Sequence, residues 1–310
     1  MLKGVWENTE PIIKSIIFLG LILVCSAVFS MAGIALCSVI FGSDLLTLST
    51  AMSDMGNPQS VAMLKFLQIV SQLGMMIIPA CLAAWYFSKQ PARYLQTEKT
   101  GAKVNYVLIL VMMLAAAPMI NFLVEMNSHL QLPEFLAGLE NKMRTMEEEA
   151  TRITEVFLDM KNGKDLWINL LMIGVLPAIG EELLFRGVLQ RLLREMTGNV
   201  HVAILITSIL FSAMHMQFFG FVPRMLLGLL FGYLLYWSGS LWLPIFAHFV
   251  NNASAVIFAY LAKRNQLPFN ADEVGTASGQ GWMVLISMLL IGATVVFLWR
   301  KFKNREHIGL

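Results

Sequence analysis

Two adjacent carboxylates, Glu181 and Glu182, stand inside an otherwise apolar stretch, with Arg186 four residues beyond the second. A charge at mid-bilayer depth costs at least ~2.5–3.5 kcal/mol on insertion scales, which marks such an acid as a functional candidate. Two further polar clusters follow inside apolar runs, Phe211-Ser-Ala-Met-His215 and His248-Phe-Val-Asn251-Asn252. Glu182 with Arg186, Phe211 with His215, and His248 with Asn252 are each four residues apart, the separation that places two side chains on one helix face. An ion pair between Glu182 and Arg186 leaves Glu181, about 100° round the helix, as the carboxylate free for chemistry. A carboxylate beside imidazoles can hold a water and take its proton. Histidine and asparagine donors can then stabilise the oxyanion formed when that water attacks an amide carbonyl. Ser212 shares the His215 face only loosely and reads as a small packing residue, so no side-chain nucleophile stands out. The chemistry implied is hydrolysis of a peptide bond by an activated water.

The same groups allow a second chemistry. Glu181, His215 and His248 form a zinc set with an open position for water, although the chain has no H-E-x-x-H and the three ligands come from separate segments. A metal-free site is the expectation, with zinc as the alternative. Buried Glu–Arg and His–Asn pairs can also serve only to hold helices together. Depth argues against that plainer reading. At ~1.5 Å per residue, Glu181 lies roughly 20 Å in from the end of its stretch near Arg194, and His215 roughly 22 Å in from residue 200. His248 and Asn252 lie roughly 12 and 18 Å in from the Ser238-Gly-Ser240 turn. Three segments free to carry polar groups at any level carry them in one slab. Pro177 and Gly180, just upstream of the acids, are expected to loosen the helix and open its backbone to water. His129, His201 and His307 fall at segment ends or in the tail and read as surface residues.

What must position these residues is a set of membrane helices. Of 310 residues, 57% are hydrophobic and only 14% charged, with a mean hydropathy of +0.68, whereas soluble domains carry about 25% charged residues. The net charge of +2 comes with no long basic run, so no nucleic-acid partner is expected. Cys25, Cys37 and Cys81 lie in apolar segments without zinc-type spacing and read as small packing residues. A spanning helix needs ~20 apolar residues. Candidate spans are 12–41, 62–87, 104–126, 166–194, 200–218, 222–237, 241–262 and 282–300. The expected fold is therefore all-α: a polytopic integral membrane bundle of about eight transmembrane helices. The first run is longer than the apolar region of a signal peptide and reads as an uncleaved anchor.

Residues 133–160 read as an amphipathic helix lying on the membrane interface, or alternatively as a lid or substrate-docking element over the site. The chain divides into 1–165 (the first helices and this segment), 166–262 (the core with the polar clusters) and 263–310 (a loop, the last helix and a basic tail). Lys89, Arg93, Lys99 and Lys103 fall in one loop, Arg186, Arg191 and Arg194 at the end of the fourth span, and Arg300, Lys301, Lys303 and Arg305 in the tail, whereas the 43–60 loop has no Lys or Arg. Placing basic loops inside puts both termini in the cytoplasm. Lys263-Arg264, outside in that arrangement, fits it least.

The three motifs in order, Glu181-Glu182-x-x-x-Arg186, Phe211-x-x-x-His215 and His248-x-x-x-Asn252, resemble those of the CAAX protease and bacteriocin-processing family. That family includes the type II CAAX prenyl endopeptidases (the Rce1 group) and bacterial immunity-type proteins. The resemblance covers roughly 166–262. It implies an all-helical intramembrane endopeptidase in which Glu181 is the general base that activates water, with His215 assisting. His248 and Asn252 would be the oxyanion pair, and Glu182 and Arg186 structural members of the first motif. It implies a membrane-associated peptide or protein as substrate, in a lipid bilayer. With no eukaryotic targeting feature in the chain, the expectation is a bacterial member in the inner (plasma) membrane, acting on unmodified peptides. Two other classes of function compete. One is a non-catalytic bacteriocin-immunity or scaffold protein of the same fold, which would not require Glu181, His215 and His248 together. The other is a proton-coupled transporter, against which stands the lack of repeat symmetry between the halves.

Overall fold

The computed structural model describes residues 2–42, 49–50, 54–129, 131–267 and 271–306. Part of the 43–60 loop, and His307, lie outside these residues. Among the described residues every regular element is helical. The long helices are α1 (Pro11–Phe41), α2 (Pro58–Phe87), α3 (Lys103–Ala115), α4 (Ala117–Ser128), α5 (Ala137–Leu158) and α6 (Gly163–Thr197). They are followed by α7 (Val200–Ala213), α8 (Phe221–Ser238), α9 (Trp242–Lys263) and α10 (Gly281–Glu306). Local chemistry sets the ends. Pro11 and Pro58 open α1 and α2, where the missing N–H would have no partner anyway. Asn162 and Asp165 cap α6 reciprocally, and Asn199 caps α7. Gly198 and Gly239 close α6 and α8 at φ 66° and 63°, a left-handed backbone that favours glycine.

Among the described residues six helices are long and apolar enough to cross a membrane, or seven when α3 and α4, bent by 43° at their junction, count as one span. The expected eighth, at 200–218, is shorter: α7 stops at Ala213 after 14 residues. That is about 21 Å of helix against a ~30 Å apolar core, so His215 sits in a turn and not on a helix.

The bundle is built round α6. Its most apolar window is 61% buried within the protein, against 17% for α1 and α10 at the margins. One apolar cluster joins α6 to α1 and α2 through Phe18, Ala80, Ala84, Leu184 and Val188. A second joins α3, α8, α9 and α10 through Ile109, Phe231, Leu243, Ala247 and Leu298. Close helix approach depends on glycine. A Cβ on Gly180 would stand 2.8 Å from the Met76 Cβ of α2. Gly180 thus serves tight packing, and the expectation that it opens backbone to water is corrected. On α8, Gly228 and Gly232 form a G-x-x-x-G step, the spacing that lets two helices meet at backbone distance. A Cβ there would stand 3.0 Å from Ser208 Cβ and 2.8 Å from Ile204 Cγ2 of α7.

Candidate active site

The polar clusters converge on the middle of α6. Two π-helical segments, Leu170–Val175 and Glu182–Leu189, flank the acids. Such wide turns rotate the side chains that follow and recur at functional sites. Pro177 has no N–H to give the Ile173 carbonyl four residues back. The Asn252 carboxamide of α9 supplies the missing donor, Nδ2 to Ile173 O at 3.0 Å, and its Oδ1 accepts from Asn251 at 3.1 Å. Asn252 is therefore tied to the α6 backbone, and these hydrogen bonds do not reach Glu181 or either histidine.

Glu182 and Arg186 pair at 2.9 Å with both side chains fully buried. The same Glu182 Oε1 meets His248 Nδ1 at 2.9 Å, so Glu182 joins the first motif to the third, a link the i,i+4 reading had not shown. The guanidinium lies 4.4 Å from the Phe211 ring and 5.5 Å from Phe231, and Nη2 donates to Gly228 O at 3.1 Å. Aromatic faces and a backbone carbonyl replace the water that a buried guanidinium gives up.

Each histidine is fixed at Nδ1. A carboxylate already paired with arginine can only accept, so His248 Nδ1 carries a proton. His215 Nδ1 lies 2.9 Å from Phe211 O, a carbonyl that likewise only accepts, so that Nδ1 carries one too. Both Nε2 atoms face Glu181 Oε2, at 3.9 Å from His215 and 3.8 Å from His248. That oxygen is buried with no hydrogen-bond partner among the described residues. Phe231 stacks on the His248 ring at 5.3 Å and 21°, while Phe211 stands edge-on to both imidazoles. The side chains of Glu181 and His248 are each 6% exposed and that of His215 26%, so the site opens on the His215 side.

Among the described residues no group of three His, Cys, Asp or Glu side chains is arranged to hold a metal ion. Ligands at ~2.1 Å in a tetrahedral shell stand ~3.4 Å apart. The Glu181–His separations are 3.8 and 3.9 Å. His129 and His201 are exposed. Ser212 is buried and donates to Phe221 O at 2.7 Å, tying down the turn that carries His215. Phe185, Gly228, Phe231 and Arg224 complete the surroundings and were not singled out in the sequence. The G-x-x-x-G spacing would have drawn attention to α8; nothing in the pattern distinguishes Arg224 from an ordinary helix-end cation.

The all-helical membrane bundle thus brings one buried carboxylate and two imidazoles together from α6, α9 and the turn after α7. Residues 163–254 match the family described as type II CAAX prenyl endopeptidase Rce1-like. The match marks this segment, just under a third of the chain, as an Rce1-like domain. A stretch of 89 residues is 30% identical to the uncharacterized protein YpbD of Bacillus subtilis (strain 168), covering 27% of this chain and 42% of that protein. The match thus spans less than half of that relative's length. No solved structure gives a significant match.

Proposed function

We propose that the protein is an intramembrane endopeptidase in which Glu181 activates a water for direct attack on a peptide carbonyl. The observation that carries this reading is the convergence of Glu181 Oε2 and two imidazole Nε2 atoms, in a pocket with no partner for the carboxylate oxygen among the described residues. A water offers two O–H donors, and separations near 3.8 Å leave room for it at ~2.8 Å from each atom. Glu181 takes the proton, as general base, and passes it to the leaving amine. His215, on the open side, steadies the water and meets the substrate. Before it reaches the amine, the proton Glu181 takes from the water is shared with His248 Nε2, 3.8 Å away; His248, held by Glu182, donates that Nε2–H to the oxyanion and returns the proton through Glu181 to the leaving amine as the C–N bond breaks. Asn252 acts first on Ile173 and so fixes α6 against α9; its second amide hydrogen is the one left for the oxyanion.

The substrate class follows from the surroundings. A peptide in or on the membrane reaches this site from the lipid or from the interface, and both unmodified and prenylated peptides belong to the class. The basic surfaces are taken as cytoplasmic, with both termini on that side of a bacterial plasma membrane. The test is cleavage of fluorogenic membrane peptides by purified protein, wild type against Glu181→Ala, with chelator, with chelator plus zinc, and with a prenylated peptide alongside. Cleavage that survives chelator and is lost in Glu181→Ala supports the metal-free reading. Loss with chelator and recovery with zinc replaces it with a metal mechanism. Absence of cleavage in every arm by folded protein supports the non-catalytic immunity or scaffold reading.

A further inference from the structure

The turn from 214 to 220, which carries His215, is held from three helices. Asn127 Nδ2 of α4 donates to Phe218 O at 2.7 Å, and Ser212 Oγ of α7 donates to Phe221 O at 2.7 Å. From α5, Glu147 Oε2 accepts from the Phe219 N–H at 2.9 Å. Arg144, one helical turn before Glu147, lays its guanidinium 4.4 Å from the Phe219 ring centre. The amphipathic helix outside the bundle therefore reaches the active-site turn through one carboxylate and one ring contact.

Across the same turn stands Arg224, in the first turn of α8 and unused by the proposed mechanism. Its Nη1 and Nη2 donate to Gln217 O and Oε1, both neutral acceptors. The guanidinium rests directly on Gly220, where a Cβ would come within 2.6 Å of Nη2. Only glycine leaves room for the group in this seat. Among the described residues Arg224 has no carboxylate in ion-pair contact, and Glu147 and Glu181 are the acids near enough to act on its charge. A positioned cation and a backbone N–H, a few residues from His215, are what a carboxylate requires.

We propose that the turn after His215 carries a carboxylate-binding subsite, made by the Phe219 N–H and Arg224, which Glu147 of α5 fills in this structure and which a carboxylate on the substrate takes when α5 moves aside. The inference rests on the endopeptidase reading and adds to it a ligand chemistry and a lid. The carboxylate has two sources, a peptide C-terminus or an acidic side chain. The C-terminal end of α5 is anchored separately, by Lys65 Nζ to Phe157 O at 3.0 Å and by Lys263 to Asp159. The Glu147 contact can therefore open while that end stays in place.

The experiment uses the full chain carrying Glu181→Gln, so that peptides bind uncut, and reads Kd by fluorescence anisotropy. Three matched membrane peptides are compared: one with a free C-terminal carboxylate, one with a C-terminal amide, and one amide carrying a single glutamate. Adding Glu147→Gln is expected to tighten a carboxylate-bearing peptide about tenfold, the scale of a charged hydrogen bond, and to leave the plain amide within about twofold. Whichever carboxylate peptide gains identifies the source. Arg224→Gln is expected to remove the difference between peptides; Gly220→Ala, which displaces the guanidinium, provides the same readout should Arg224→Gln fold poorly. Equal tightening of all three peptides makes α5 a steric lid with no subsite and overturns the proposal. So does a Glu147→Gln protein that binds as before, or the absence of binding by any peptide. Failure of the endopeptidase reading shows separately, as absence of cleavage by the protein with Glu181 intact.

Discussion

One oxygen of Glu182 serves two donors, Arg186 Nη1 and His248 Nδ1, both at 2.9 Å, and this divides the labour between the paired acids. Removing one partner of a buried pair leaves an uncompensated charge and costs about 3–5 kcal/mol. Arg186→Gln is therefore expected to lower the thermal unfolding midpoint sharply. Glu182→Gln should do the same and also release the His248 ring. Glu181→Gln removes a carboxylate whose Oε2 has no partner among the described residues, so its folding should stay near wild type while cleavage falls by about 10²–10⁴, the worth of a general base. Equal loss of stability in all three variants would undo the division. At this scale the sequence was legible where spacing governs. Glu182–Arg186 and Phe211–His215 contacts follow from four-residue separations on one chain segment. The Glu182–His248 bond was not legible, because it joins residues 66 apart and depends on how α6 and α9 cross. Asn252 was read as facing the reaction; its bond to Ile173 follows from Pro177 only once the two helices are known to touch.

The elements explain why the site is open on one side and held on the others. Because α7 ends early, His215 sits on a turn, and the mouth of the site is bounded by that turn and by α5. The sequence marked 200–218 as a span because hydropathy continues through Phe211 and Met214; the chain instead turns after Ala213, with Met216 at φ 53° and Ser212 tied to Phe221 O, features invisible to hydropathy. Asn252→Ala should orphan the Ile173 carbonyl, costing about 1–3 kcal/mol, and differential unfolding in detergent measures it. A Gly228→Val change should separate α7 from α8, lower stability, and shift Arg186 by way of the Gly228 carbonyl. The far end of α5 carries a pH dependence. The Lys263 ammonium, hydrogen-bonded to Asp159, holds that carboxyl below the usual carboxylate range. A depressed acid stabilises above its unfolded value, and the contribution is lost as pH falls through the folded one. The tether should therefore be intact at neutral pH and loosen under acid conditions, seen as faster hydrogen exchange at 156–162 with the α6 core unchanged.

Across the whole molecule, contacts collect the basic segments at one end. Gly4 N and Trp6 N bond to Trp85 O and Tyr86 O, Arg191 bonds to Tyr94 O, Trp242 Nε1 to Thr97 O, and Lys301 to Asn105 Oδ1. The N-terminal segment, the 88–103 loop, the end of α6 and the end of α10 thus share a face, which hydropathy and charge had suggested and only packing could place together. The two cations that fitted least, Lys263 and Arg264, lie against Asp159 and Lys161 O, so a local acid and a carbonyl offset them. Reporter fusions at the two ends should report the same side of the membrane, and opposite sides would break this arrangement. The central claim remains that this fold brings Glu181 to a water and a peptide bond. The most direct measurement is mass spectrometry of a membrane peptide incubated with proteoliposomes of wild type and of Glu181→Gln, matched for thermal unfolding midpoint. The account predicts two fragments whose summed mass exceeds the peptide by one water with wild type, and intact peptide with the variant. Fragments formed at comparable rates by both proteins would contradict it.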